Sequence, residues 1–156
     1  MDLKELRISK KITQKEAADV LGVSLRSYKS YENEVSKINT NKYQYLCEKL
    51  SAYNRVDEEH GILSLYEIKV IVTEILKSYD VNFCYLFGSY AKNKATDTSD
   101  VDLLIDSSIT GLNFYGLVEE LRTSLCKKVD LLKVNQLVNN EELLIEILKD
   151  GIRIYG

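Results

Sequence analysis

The chain of 156 residues is poor in the side chains that announce metal or redox chemistry on their own, with three cysteines and one histidine. Cys47, Cys84 and Cys126 stand apart in apolar contexts, without the paired spacing of a zinc site or a disulfide framework. They read as small core residues of a protein kept in a reducing compartment. No apolar run approaches the roughly 20 residues that span a bilayer, and no charged leader precedes an apolar stretch. A soluble, cytoplasmic protein without membrane contact is expected. A strong overall charge is also missing, at −3, yet the balance is uneven. Residues 1–55 carry 11 Lys+Arg against 7 Asp+Glu, whereas residues 56–156 carry 10 against 17. The two parts therefore suit different partners, and the length allows two small domains.

The first part has helical periodicity throughout. Apolar residues fall at Leu3, Leu6 and Ile8, at Ala17, Val20 and Leu21, and at Tyr43, Leu46 and Leu50, which predicts four short helices. Thr13 and Glu16 have capping-box spacing, Gly22 is a stop signal, and Ser24 caps the third helix. The stretch from Thr13 to Glu34, TQKEAADVLGVSLRSYKSYENE, resembles the helix-turn-helix of the Xre or phage-repressor class, with Gln14, Ala18, Gly22 and Val23 on its familiar positions. That resemblance makes residues 1–55 a DNA-binding domain and the segment from Ser24 to about Tyr31 its recognition helix. Gln14 would then lie near phosphate, Arg26, Ser27 and Lys29 would face the groove, and Tyr28 and Tyr31 would pack inward. An interaction-only role for the same helices stays open.

Residues 56–64 read as a linker, since the polar run RVDEEHG from Arg55 to Gly61 has no apolar periodicity. Arg55 and His60 match the loose Arg-x4-6-His pattern of HEPN ribonucleases, but no Tyr follows. His60 is read as a solvated side chain.

The most telling feature lies further on. Gly88-Ser89, ten residues and then Asp100-Val101-Asp102 form the run GSYAKNKATDTSDVDLLID from Gly88 to Asp106. The apolar run Val81 to Phe87 predicts a buried strand, Gly-Ser a tight turn, and Val101 to Ile105 a second strand. Alternation on a strand sends Asp100 and Asp102 to one face, where two ionised carboxylates call for a divalent cation, with Mg²⁺ the obvious one. Asp130, in KKVDLL on a third strand, can join that cluster and orient or deprotonate an attacking hydroxyl. Gly88 leaves room for a phosphate to approach the backbone, Ser89 adds a hydroxyl, and Lys94 can offset charge on a leaving pyrophosphate. Lys92 reads as solvated.

Around these motifs the expected order is a helix from Leu65 to Tyr79, the strand Val81 to Phe87, a short helix and the strand Asp100 to Asp106. A helix from Phe114 to Cys126, a strand Lys128 to Val134, a helix Asn140 to Lys149 and a short strand Ile152 to Tyr155 complete it. The core should draw on Phe83, Tyr85, Phe87, Val101, Leu103, Val129 and Leu131. The whole is an α/β (α+β) architecture, an all-α domain followed by helices on a small mixed sheet.

Residues 65–156 resemble the minimal nucleotidyltransferase family, small relatives of the polymerase-β-type enzymes. One departure is Lys92-Asn93, where that family commonly has Arg-Gly; Asn tolerates a positive φ best among non-glycine residues. The resemblance implies an antitoxin that transfers AMP from ATP, with Mg²⁺ on Asp100, Asp102 and Asp130, to tyrosine of a HEPN-type ribonuclease toxin. It further implies a helix-turn-helix that binds operator DNA, and a homodimer or a hetero-oligomer with the toxin. Three alternatives stand beside it: a nucleotide-sensing repressor without turnover, a small-molecule nucleotidyltransferase of the aminoglycoside type, and self-modification, for which Tyr90 lies inside the motif loop.

Overall fold

The computed structural model describes residues 1–156. The chain divides into two units, Met1–Arg55 and Val56–Gly156. No helix is long and apolar enough to cross a membrane.

The first unit holds α1 (Leu3–Ser9), α2 (Gln14–Leu21), α3 (Leu25–Asn33) and α4 (Asn41–Ala52), with a single 3₁₀ turn at Val35–Lys37. Its boundaries follow from local chemistry. Thr13 Oγ1 accepts from the Glu16 amide and Glu16 Oε2 accepts from the Thr13 amide at 2.7 Å, which closes the capping box at the start of α2. Gly22 ends α2 in the left-handed region at φ 68°, and Ser24 Oγ caps α3. Leu3, Ala17, Tyr28, Leu46 and Leu50 are among the residues that close the core. A feature without a sequence signal ties the helices together. Arg7 Nε and Nη2 each donate to Glu32 at 2.9 Å, and the Glu32 side chain is only 1 % exposed.

The second unit holds α5 (Leu65–Leu76), β1 (Val81–Phe87), α6 (Gly88–Ala91), β2 (Val101–Ser107), α7 (Gly111–Leu125), β3 (Val129–Lys133), α8 (Glu141–Asp150) and β4 (Ile152–Tyr155). The sheet order is β3-β2-β1-β4, with β2 and β3 parallel and the other pairs antiparallel. One sheet face packs Cys84, Leu86, Val101, Leu103 and Ile105 against α5 and α7. The other face sets Phe87 and Leu104 against Leu137 and Ile147 of α8 and the turn before it.

This two-faced sheet corrects the expected core. Phe83 and Tyr85 are half-buried on the α8 side, and Phe87 is buried there too, so the principal core takes Cys84 and Leu86 from β1. Val129 packs half-buried at the edge of the principal core. An irregularity between Val81 and Phe83 lets Val81 join Cys84 and Leu86 on one side despite the two-residue period. The linker reading is corrected as well. Residues 56–64 pack into the second unit: Leu63 is buried in its core and Glu58 accepts from Arg122 of α7 at 2.6 Å. Of the three cysteines only Cys84 is a core residue. Cys126 is exposed at the left-handed C-cap of α7, and Cys47 is intermediate.

Candidate functional site

Strand register brings the motif together. Phe87 on β1 pairs with Asp102 on β2, and Asp102 pairs with Asp130 on β3, so one row crosses three strands. Directly paired residues point to the same face, about 5 Å apart at Cβ. Gly88 and Ser89 follow Phe87 immediately as the first residues of α6, and Asp100 sits just before β2. Gly88, Asp100, Asp102 and Asp130 thus converge at one end of the sheet. Gly88 adopts φ 70°, which favours glycine, and a Cβ built on it would run into the Asp102 carboxylate.

Asp102 is half-buried, and its carboxyl is pushed up to about 6, first by desolvation and then by the charges of Asp130, Asp100 and Glu146. Three carboxylates face one another, but no group of three or more acidic, His or Cys side chains is gathered tightly enough to hold a metal ion. The donor set nevertheless fits a hard divalent cation: all-oxygen, anionic, and strained by a field that such a cation would relieve. A cleft of about 380 Å³ adjoins Asp100 and Asp130 on the α7 side.

The turn between grip and carboxylates is ordered by its own backbone. Lys92 N donates to Gly88 O, Lys94 N donates to Ser89 O at 2.9 Å, and Asn93 takes φ 57°, so the Lys-Asn replacement keeps the turn. Lys94 is exposed. Lys92 is exposed, as expected, and forms a surface ion pair with Glu146 of α8 at 2.7 Å. Tyr90, the candidate for self-modification, is buried, and its hydroxyl accepts from the Leu63 amide at 3.5 Å. His60 is exposed and lies 2.9 Å from Asp57 Oδ1 through Nδ1.

Two residues of this region escaped the sequence reading. Glu146 adds to the field on Asp102, and the only signal for it is its place one residue before the buried Ile147 on α8. Lys127 is fully buried, and its ammonium donates to the backbone oxygens of His60 and Asp97. In the sequence it is one half of a Lys-Lys pair ahead of an apolar strand.

In the first unit, Arg26 and Lys29 are exposed on α3, Ser27 is half-buried, and Tyr28 is fully buried. Tyr31 is half-buried beneath the ammonium groups of Lys37 and Lys42. Gln14 is not directed to solvent alone: its Nε2 donates to Glu32 Oε1 at 3.3 Å, joining the Arg7–Glu32 pair.

Comparison with known proteins agrees with this division. Residues 71–156 match the family described as polymerase beta, nucleotidyltransferase, and residues 3–51 match a helix-turn-helix family. A protein of Methanocaldococcus jannaschii that bears the name of a protein adenylyltransferase is 40 % identical over 82 residues, covering 49 % of this chain and 84 % of that protein. Protein adenylyltransferase MntA of Thermococcus cleftensis is 37 % identical over 83 residues, with the same shares covered. A crystal structure of a toxin-antitoxin with AMP-PNP superposes with a TM-score of 0.49 at 24 % identity, over 59 % of this chain and 74 % of that one.

Proposed function

The chain belongs to the polymerase beta nucleotidyltransferase family, with protein adenylyltransferases among its relatives, and on that premise we propose that it is an antitoxin transferring AMP from ATP to tyrosine of a HEPN-type ribonuclease toxin. The observation that carries the reading is the row Phe87–Asp102–Asp130 with Gly88 at its end, which sets a phosphate grip beside two carboxylates. Asp100, Asp102 and Asp130 would hold Mg²⁺, which when bound supplies charge neutralisation and Lewis-acid polarisation at the phosphates.

The chain's own residues divide the remaining work. The backbone of Gly88 and the Ser89 hydroxyl bind the triphosphate, and Lys94 offsets the charge of the departing pyrophosphate. Asp130 orients the tyrosine hydroxyl and accepts its proton. The tyrosine oxygen bonds to the α-phosphorus while the bond to the bridging oxygen breaks, so pyrophosphate leaves towards Ser89 and AMP stays on the acceptor. The carboxylates lie at an open end of the sheet rather than in an enclosed cavity, which suits an acceptor carried by a docking protein. The helix-turn-helix binds operator DNA through Arg26, Ser27 and Lys29, with Gln14 beside phosphate while supporting Glu32, and so represses its own gene pair. These activities belong in the cytoplasm.

Transfer of label from α-labelled ATP with Mg²⁺ to the protein that copurifies from the native host tests the reading. Label on that partner which disappears in Asp100→Ala/Asp102→Ala is the expected result. An unlabelled, verified partner together with DNA affinity that changes with ATP would make the chain a nucleotide-sensing repressor instead.

A further inference from the structure

Lys127 is the one charged side chain that the protein buries completely. A buried ammonium is costly unless its donors are satisfied. Here Nζ donates to the backbone oxygen of Asp97 at 2.6 Å and to that of His60 at 3.1 Å. Neither acceptor is a carboxylate: the ammonium bridges two pieces of backbone. A residue that served packing alone would fill this place better as Met or Leu.

What the bridge holds is specific. The Thr96–Ser99 turn closes on itself, with Ser99 N donating to Thr96 O at 3.1 Å and Thr96 N donating to Ser99 Oγ at 2.8 Å. Lys127 grips this turn at Asp97 O. The next residue, Lys128, accepts from Val101 N through its own carbonyl at 2.9 Å. Two consecutive residues therefore fix the chain on both sides of Asp100, and two residues further on the same strand entry supplies Asp130. On its other side Lys127 holds the turn Asp57–His60, in which Asp57 N donates to His60 O at 2.9 Å.

We propose that Lys127 is a positioning residue for the carboxylate site, its buried ammonium clamping the Thr96–Ser99 turn to the start of β3 so that Asp100 is presented to a divalent cation beside Asp102 and Asp130. Lys127 touches neither nucleotide nor acceptor. It acts through the backbone of Asp97, and its loss loosens the approach to Asp100 while the row Asp102–Asp130, set by strand pairing, stays in place. The inference rests on the metal-site reading above only in its second readout.

The experiment compares Lys127→Met with Val72→Ala, a cavity variant in the buried face of α5 that lowers stability without touching the turn. Two quantities are measured on the full chain: amide hydrogen exchange of residues 96–101, and Mn²⁺ affinity by electron paramagnetic resonance with a non-hydrolysable ATP analogue. Lys127→Met should speed exchange in that segment about tenfold and weaken Mn²⁺ about fivefold, whereas Val72→Ala leaves both at the wild-type value. Unchanged exchange in Lys127→Met, or equal changes in both variants, overturns the proposal. Should the Met variant not fold, Lys127→Gln, too short to reach both carbonyls, decides on the same readouts: faster local exchange supports the clamp and wild-type exchange overturns it. Wild-type protein that binds no Mn²⁺ refutes the metal site while leaving the exchange comparison to decide the clamp.

Discussion

Gly88 and Asp102 share one volume: the place a side chain would take on Gly88 is filled by the Asp102 carboxylate, whose Cγ would lie 2.9 Å from an added Cβ. Either the carboxylate rotates away from Asp130 or the turn moves off the strand. Gly88→Ala also forces a methyl onto φ 70°, at a cost of about 1 kcal/mol. Transfer of labelled AMP should fall by about a hundredfold or more, in line with loss of a positioned charged group. Promoter binding, measured on the same preparation, should stay at the wild-type level because the helix-turn-helix proposed for it lies in the other unit.

Asp102 carries the opposite lesson, that the site is held at the expense of stability. Its carboxyl is raised from 3.8 to about 6, so the folded state binds a proton that the unfolded state has already released. Stability contributed by this group is full below about pH 4 and is lost as pH climbs through about 6. Asp102→Asn removes that loss. Half exposure screens the effect, which leaves a gain of about 1–2 kcal/mol at pH 7 in metal-free protein. Thermal melts between pH 4 and 8 should show a smaller fall in Tm for the variant than for wild type, while AMP transfer is abolished.

The sequence reading put Asp102 and Asp130 on the right strands and Gly88 at the turn after β1, because strand alternation and the motif spacing dictate them, whereas Asp100, expected as the first strand residue, lies just before β2. β1 was found residue for residue as Val81–Phe87, bounded by an apolar run and Gly88. Its orientation was not legible. Both faces of β1 are covered, so alternation alone cannot tell whether Phe83, Tyr85 and Phe87 or Cys84 and Leu86 form the principal core. Long-range polar pairs were invisible for a different reason. Arg7–Glu32, Lys92–Glu146 and Lys127 to Asp97 join residues between 25 and 54 positions apart, and none has a local pattern. The linker looked loose because charge dominates Asp57–His60, yet its anchors include Leu63 and the His60 carbonyl, which accepts from Lys127.

Tyr90 stands inside the motif loop but does not present its hydroxyl. Burial raises its pKa, and the oxygen accepts from the Leu63 amide. Peptide mapping after incubation with ATP and Mg²⁺ should find Tyr90 unmodified. Tyr90→Phe should leave transfer to a partner protein within about twofold of wild type, since one weak neutral hydrogen bond is lost. AMP on Tyr90 would mean that the turn opens during the reaction.

In the first unit Glu32 is the electrostatic keystone. Its carboxylate receives Arg7 on both oxygens and Gln14 on one, with nearly no exposure. Glu32→Ala leaves the Arg7 guanidinium without its anion and should destabilise the helical unit by about 3 kcal/mol. Chemical denaturation followed by circular dichroism should then show the unit unfolding at lower denaturant. DNA binding should be lost along with it, although the Glu32 side chain is almost wholly buried.

Arg26 and Lys29 test DNA binding without that complication. Both are exposed on α3, one turn apart, whereas Tyr28 between them is fully buried and holds the helix to the core. Arg26→Ala/Lys29→Ala should therefore keep the melting profile of the unit. If both side chains neutralise phosphates, the slope of log affinity against log salt should flatten by about 2. If either reads a base edge, discrimination against a mutated promoter should shrink by about 1–3 kcal/mol as well. Titrations of operator and non-specific DNA at several salt concentrations separate these cases. Unchanged binding to both DNAs would assign the helices to protein contacts, with α3 free to serve a partner rather than the groove.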